Sequence, residues 1–196
     1  GGLSSIKETR FVYGSNLADL VPDIWGSVSS IGKDAVMKVS ATVRNQGRTA
    51  STPATLDLYD GDILVSTFPV GEIPSGERKA SEYLMQVMGK AGEHSFNVVA
   101  DPTNSVVEFN KANNNTIRRI IIPDIISFTE TPKDTYSATE QIPITTTVVN
   151  LTQSTFYPNL TISTTIRDAA GAEIYRKASP FSAPPLSFLP PGKSKV

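Results

Sequence analysis

Oxygen-bearing side chains crowd into residues 101–114, a stretch that lies between two predicted strands. Hard cations prefer such ligands, and Ca²⁺ takes about six to eight oxygens. The spacing predicts a candidate calcium site. The same residue types also hold loops together by bonding to nearby backbone amides, and Lys111 sits among them, so a purely structural loop is the favoured alternative. The predicted ligands are Asp101, Asn104, Glu108, Asn110 and Asn113, and Asn114 adds a further oxygen.

A second acidic cluster and a lone histidine are weaker candidates for chemistry. Asp57, Asp60 and Asp62 lie close together, but Asp60-Gly61-Asp62 is a stronger signal for a hairpin turn than for a metal site. His94 has no Gly-x-Ser-x-Gly segment elsewhere in the chain to present a nucleophile. We therefore expect His94 to be an ordinary strand residue.

Composition excludes several classes of site and partner. The 196 residues include no cysteine and one histidine, so thiolate nucleophiles, Cys-ligated zinc and multi-His metal sites are ruled out. The net charge is −1, with acids and bases interleaved, which argues against nucleic-acid binding. No apolar run approaches the ~18–20 residues that span a bilayer. We predict no catalytic residues, no cofactor and no membrane insertion in this segment.

Apolar and polar residues alternate at period two through much of the sequence. Met37, Val39, Ala41 and Val43 form an apolar set that should face a core, while the residues between them are mostly polar and should face water. Turn signals rich in Gly, Pro, Asn and Asp separate further short strands. This pattern predicts an all-β protein built from antiparallel sandwiches.

The second half of the sequence repeats the first. Residues 39–45 match residues 144–150 at a constant offset of 105 residues, and Asn45 falls on Asn150. Two tandem sandwiches are predicted. Their expected bounds are 19–123 and 124–196, after an N-terminal arm or linker at 1–18.

The second sandwich is predicted to be C-terminally incomplete in this chain. Residues 73–77 match residues 189–193, and in the first repeat several strands follow that point. Half a sandwich leaves an unpaired edge and an open core. Three explanations remain open at the level of sequence: a truncation, a strand lent by another chain with residues 3–13 as its donor, or closure with fewer strands.

Three segments carry a resemblance to a known family: residues 43–47 (Val-Arg-Asn-Gln-Gly), residues 74–77 (Pro-Ser-Gly-Glu) and the long segment 100–114. Through them, about residues 19–123 resemble the CARDB family, the cell adhesion related domain found in bacteria. The second half resembles a divergent immunoglobulin-like repeat. The resemblance implies a seven-stranded immunoglobulin-like sandwich in extracellular or cell-surface proteins, and it brings no catalytic residues.

We therefore expect a non-enzymatic extracellular module, structural or adhesive, of a larger surface protein or filamentous assembly. Its partners would be other domains of the same protein or neighbouring subunits. The alternative is a carbohydrate-binding accessory module of a secreted enzyme, with polysaccharide as the partner. In that case Trp25 and Tyr59 would form a stacking platform, whereas a place in the core is the simpler expectation for both. The candidate glycosylation sequons begin at Asn114, Asn150 and Asn159.

Overall fold

All regular elements in the described part of the chain are β-strands, which confirms the predicted all-β class. The computed structural model describes residues 16–31, 34–137, 140–180, 188–189 and 192–195. Most of the N-terminal arm predicted at 1–18 therefore lies outside the described residues. Within the described ranges, no helix is long and apolar enough to cross a membrane.

Fourteen strands follow one another along the described chain, seven in each half. Those of the first half are β1 (Leu20–Ile31), β2 (Asp34–Asn45), β3 (Ala54–Asp60), β4 (Ile63–Gly71), β5 (Arg78–Gln86), β6 (Gly92–Ala100) and β7 (Asn115–Ile122). Those of the second half are β8 (Ile125–Glu130), β9 (Thr145–Asn150), β10 (Tyr157–Pro158), β11 (Thr161–Arg167), β12 (Glu173–Pro180), β13 (Phe188–Leu189) and β14 (Gly192–Lys195).

The first half forms two sheets, with the strand orders β1-β2-β5 and β4-β3-β6-β7. In the larger sheet β3 pairs antiparallel with a strand on each edge, so that Leu56 lies opposite Phe68 of β4 and Ala100 of β6. The predicted turn at Gly61 joins β3 to β4, and its φ of 59° is the left-handed conformation that glycine adopts most easily. Seven strands in two sheets match the predicted immunoglobulin-like sandwich.

The core of the first half follows the period-two pattern. Met37, Val39, Ala41 and Val43 are all fully buried, as predicted. The opposite face of β2 was expected to meet water, and this is wrong near Val36 and Ser40, which are 3% and 6% exposed. β2 is the central strand of its sheet and is flanked on both edges. Other large side chains of this core are Leu20, Ile24, Leu56, Leu58, Phe96 and Ile122.

The second half repeats part of this topology. The order β14-β9-β8 mirrors β5-β2-β1, and the hairpin β11-β12 mirrors β3-β4. β10 and β13 form an additional two-stranded sheet. Within the described residues β6 and β7 have no counterpart, as the sequence repeat predicts.

The described chain also divides into two compact units, whose limits cut through strands. One holds the residues up to Trp25 together with Ser40–Tyr83 and Ser95–Arg118, and the other holds the remainder. This division crosses five strands of the first half, so it does not test a boundary between residues 123 and 124. The predicted domain limits stay a prediction.

Asp124 and Tyr157 tie the start of β8 to β10. The Tyr157 hydroxyl donates to Oδ2 of Asp124, and the backbone N–H of Leu151 donates to the Asp124 carbonyl oxygen at 2.7 Å. The hydrogen bond to Asp124 raises the pKa of Tyr157 above its ordinary value, and desolvation adds to the shift.

Candidate functional site

The predicted calcium loop, residues 101–114, connects β6 to β7 at one end of the first sandwich. The strands that it joins are tied at its base, where the N–H of Ala100 donates to the carbonyl oxygen of Asn114 at 2.8 Å. A long connection needs such internal bonds, because its backbone groups have no ladder to pair with. The candidate ligands supply them.

Asp101 organises the first turn of this loop. Its Oδ1 accepts the N–H of Ser105 at 2.9 Å and the Ser105 hydroxyl at 2.8 Å, and its Oδ2 accepts the N–H of Val106 at 2.9 Å. The residue is 2% exposed and has a φ of 47°, a conformation that Asp and Asn tolerate better than most residues. Lys111 Nζ lies 3.7 Å from Oδ2. Both carboxylate oxygens therefore already have protein partners.

Glu108 joins the loop to the start of β1. Its Oε2 accepts the N–H of Leu20 at 2.7 Å, and its Oε1 accepts Nδ2 of Asn114 at 2.7 Å. Glu108 also forms an isolated parallel bridge with Ala18, and the next residue, Phe109, donates its N–H to the Ala18 carbonyl oxygen at 2.8 Å. The buried carboxylate of Glu108 thus fixes the first residue of β1 to the loop.

The asparagines of the loop are bonded to protein atoms as well. Asn104 receives Lys111 Nζ on its side-chain and backbone oxygens, both at 3.3 Å. Asn110 Oδ1 accepts the N–H of Ala112 at 3.0 Å, and Asn113 Nδ2 donates to Oδ1 of Asp19 at 2.9 Å. The side-chain oxygens of Asn113 and Asn114 are buried without a protein partner. Buried acceptors of this kind usually bind a buried water.

The five candidate calcium ligands share one loop, and the carboxylate oxygens of Asp101 and Glu108 accept donors of the protein itself. Across the described ranges, no three side chains of Asp, Glu or His converge closely enough to hold a metal ion. A cation would have to displace the donors that Asp101 and Glu108 already bind. This geometry favours the structural loop, and calcium binding stays a prediction. The hairpin residues Asp57, Asp60 and Asp62 form no such group either.

The sequence interpretation missed the role of Asn45 at the end of β2, whose side-chain oxygen and nitrogen each form two hydrogen bonds. Its Oδ1 accepts the N–H groups of Asp19 and Gly47 at 3.0 and 2.9 Å. Its Nδ2 donates to the carbonyl oxygens of Thr49 and Ile73 at 2.8 and 2.9 Å. The side chain is fully buried, so all of its bonding capacity is used inside the protein.

Asn150 at the end of β9 occupies the equivalent position in the repeat, and its side chain also forms hydrogen bonds to backbone atoms. Its Oδ1 accepts the N–H of Thr152 at 3.0 Å, and its Nδ2 donates to the Thr155 carbonyl oxygen at 2.7 Å. The repeated Val-Arg-Asn and Val-Val-Asn strand ends were the signal that could have revealed this pair.

The three predicted sequon asparagines differ in access. Asn150 is fully buried and Asn114 is 7% exposed, and the amide nitrogen of each donates to a protein oxygen. A glycan replaces one of the two hydrogens of that nitrogen and needs space beside it, which a buried side chain does not offer. Asn159 is exposed, with a φ of 59°. Glycosylation stays a prediction, and the geometry favours Asn159.

The residues weighed for catalysis and sugar binding are dispersed. His94 lies on β6, and its Nε2 is 2.9 Å from the Lys90 carbonyl oxygen. Trp25 lies on β1 and Tyr59 on β3, which belong to different sheets, so they form no common platform. A place for Trp25 in the core is wrong: it is 49% exposed, because its neighbour Ile24 takes the inward position on the strand.

The sequence profile of the CARDB family matches residues 17–118, which is more than half of the chain. The chain belongs to the CARDB family. CARDB domains are non-catalytic, adhesion-related modules of cell-surface proteins. The matched region contains Asn45, the loop 101–114 and both residues of the Glu108–Leu20 bond. The resemblance stated from the sequence is confirmed.

The chain is also similar to solved structures. A crystal structure of a Pyrococcus furiosus CARDB domain, described as in complex with di-metal ions, is 20% identical with a TM-score of 0.48, over 61% of this chain and 98% of that one. A solution NMR structure of one domain of a candidate cell-surface protein from Methanosarcina acetivorans is 28% identical with a TM-score of 0.45, over 54% of this chain and 91% of that one. None of the curated proteins matches the chain.

Proposed function

We propose that this chain is a non-enzymatic extracellular module that joins and spaces domains or subunits of a larger surface protein or filamentous assembly. Membership of the CARDB family supports an adhesion-related role at the cell surface. The chemistry-bearing side chains of the matched region support the structural part of the proposal, because they are bonded within the fold.

One observation carries the proposal. The Glu108 carboxylate is 9% exposed, and its two oxygens bind the Leu20 N–H and the Asn114 amide. A catalytic carboxylate needs an oxygen within reach of a substrate, whereas this one closes the end of a sandwich. Asp101 is used in the same way within its own turn.

Carbohydrate binding is the second candidate, and the exposed ring of Trp25 is the observation that favours it. An aromatic side chain that is half exposed on a strand offers a surface on which a sugar ring can stack. Tyr59, the other aromatic residue considered for a platform, lies in the other sheet, so we rank this function below the structural one.

A bead-binding experiment distinguishes the two functions. Beads coated with the purified chain are tested against surface proteins extracted from the source cells and against a panel of polysaccharides. The structural proposal predicts binding to the surface proteins, equal for the wild-type chain and for Trp25→Ala. Retention on a polysaccharide that disappears in Trp25→Ala would establish the carbohydrate function instead.

A further inference from the structure

The register between the neighbouring strands β2 and β5 is set by backbone hydrogen bonds at both of their ends. At one end the N–H of Asn45, the last residue of β2, donates to the carbonyl oxygen of Glu77 at 3.0 Å. At the other end the N–H of Val87 donates to the carbonyl oxygen of Ala35 at 3.4 Å. Both bonds fit the same antiparallel register, so the residues that face each other between them are known.

This register places Arg44 of β2 directly opposite Arg78 of β5. The two residues follow the hydrogen-bonded pair at the strand ends, so they form a pair of the closer kind, with Cα atoms about 4.5 Å apart. Both side chains are exposed, and facing residues of two strands share one face of the sheet. Like charges in this position destabilise a sheet, so the pair weakens the fold as long as no anion binds beside it.

The acidic residues next to this pair do not neutralise it. Among the residues that the structure describes, neither guanidinium forms a hydrogen bond or an ion pair. Asp23 of β1 is fixed beside β2 by the Thr42 hydroxyl, which donates to its carbonyl oxygen at 3.4 Å, but its carboxylate binds Nη2 of Arg118 at 3.2 Å. Glu77 is one position from Arg78, and successive side chains of an extended strand point to opposite faces.

Two further cations extend the positive charge around the arginine pair. Lys79 follows Arg78 on β5, and Arg48 lies in the turn after β2. Both are exposed, and neither has an ion pair in the described part of the chain. A guanidinium presents a planar fork of N–H groups that matches a carboxylate with two parallel hydrogen bonds. Two such forks side by side fit carboxylates that are close together on one partner.

We propose that Arg44 and Arg78 bind the carboxylates of an acidic segment on a neighbouring protein subunit. The bound carboxylates replace the repulsion between two cations by charge-assisted hydrogen bonds. Charge complementarity carries this assignment. The inference rests on the proposed function, which makes neighbouring domains or subunits the partners, and it names the chemistry by which such a partner is recognised.

A glutamate peptide of about ten residues is the probe, and a glutamine peptide of the same length is its uncharged control. Isothermal titration at low salt should show binding of the glutamate peptide alone. Arg44→Gln and Arg78→Gln should each weaken it about tenfold, the loss expected for a removed charge-assisted hydrogen bond. Arg176→Gln makes the same change on β12 and should leave the affinity unchanged. A wild-type chain that does not bind the peptide, or an equal loss in Arg176→Gln, would overturn the proposal.

Arg78→Glu separates the loss of binding from a loss of folding. A glutamate opposite Arg44 turns the like-charge pair into an opposite-charge pair, so the melting temperature should rise. Binding of the glutamate peptide should be lost in the same variant. A variant that binds the peptide like the wild type, or one whose melting temperature falls, would overturn the proposed arrangement of the two arginines.

Polygalacturonate at the same carboxylate concentration distinguishes a polysaccharide from a protein partner. The proposal predicts that it binds more weakly than the glutamate peptide, and the reverse order would overturn the assignment to a protein segment. Failure of the proposed function gives a different result, because wild-type beads would then retain no surface protein. Retention of surface proteins that Arg78→Glu leaves unchanged would overturn the arginine site alone.

Discussion

The backbone N–H of Leu20 donates to Oε2 of Glu108 at 2.7 Å, across 88 positions of sequence. The same carboxylate accepts the amide of Asn114, the residue before β7, so one side chain joins the first strand to both ends of the segment that leads into the last strand of the first sandwich. A charged acceptor in a buried place forms stronger hydrogen bonds than a neutral one, and it is costly to remove.

Glu108→Ala should lower the free energy of unfolding by about 2–4 kcal/mol, because two buried donors lose their acceptor. Glu108→Gln keeps one acceptor oxygen and should lose about half as much. Urea unfolding followed by circular dichroism measures both. The exposed Glu72 provides the control, since Glu72→Ala should change stability by about 0.5 kcal/mol or less. Equal effects at positions 108 and 72 would contradict a structural role for the Glu108 carboxylate.

Gly47→Ala should destabilise the first sandwich by about 2–3 kcal/mol. A Cβ at this position would overlap the backbone of Leu17 and Ala18, so these residues, which precede β1, have to move. Gly26→Ala is the matched control, because the one very close neighbour of its Cβ would be the flexible tip of Ile120 at 2.9 Å, and the nearest backbone atom, the Lys38 carbonyl oxygen, would lie at 3.4 Å. Thermal unfolding compares the two variants, and a larger loss for Gly26→Ala would show that the close approach at Gly47 is not a constraint.

The strands were predictable from sequence because their signal is local. Alternation placed Met37 and Val39 inward without knowledge of any distant residue, and the repeat placed Asn45 and Asn150 at equivalent strand ends. The hydrogen bonds of those two side-chain amides were not predictable. The partners of Asn45 include Asp19 and Ile73, which come close to it only in the folded protein.

The oxygen-rich loop shows the same limit. Residue types identified 101–114 as a place where oxygens gather, but a carboxylate that binds calcium and one that binds backbone amides look alike in a sequence. The deciding donor for Glu108 is Leu20, far away in the chain.

Chelation should leave the protein unchanged. Because Asp101 and Glu108 already accept protein donors, addition of EDTA should not shift the melting temperature. A ligand that binds only the folded state raises the melting temperature by mass action, so a bound metal would be visible in this measurement. A drop on chelation that Ca²⁺ restores, but Mg²⁺ does not, would establish the calcium site.

The contribution of the Tyr157–Asp124 hydrogen bond to the free energy of unfolding should decrease at alkaline pH. The bond raises the pKa of Tyr157 in the folded state, so its stabilisation is fully present below the pKa of an unfolded tyrosine. It is lost as the pH rises through the folded-state pKa. NMR titration should show the Tyr157 pKa falling toward its ordinary value in Asp124→Asn. An unchanged titration would mean that the bond does not persist in solution.

Exposure of the chain on intact cells tests the proposed surface role most directly. An antibody against the first sandwich should label unbroken source cells, and external protease should remove that label while a cytoplasmic control protein stays intact. Labelling that appears only after the cells are lysed, with the chain protected from external protease, would contradict the proposed role as a module of the cell surface.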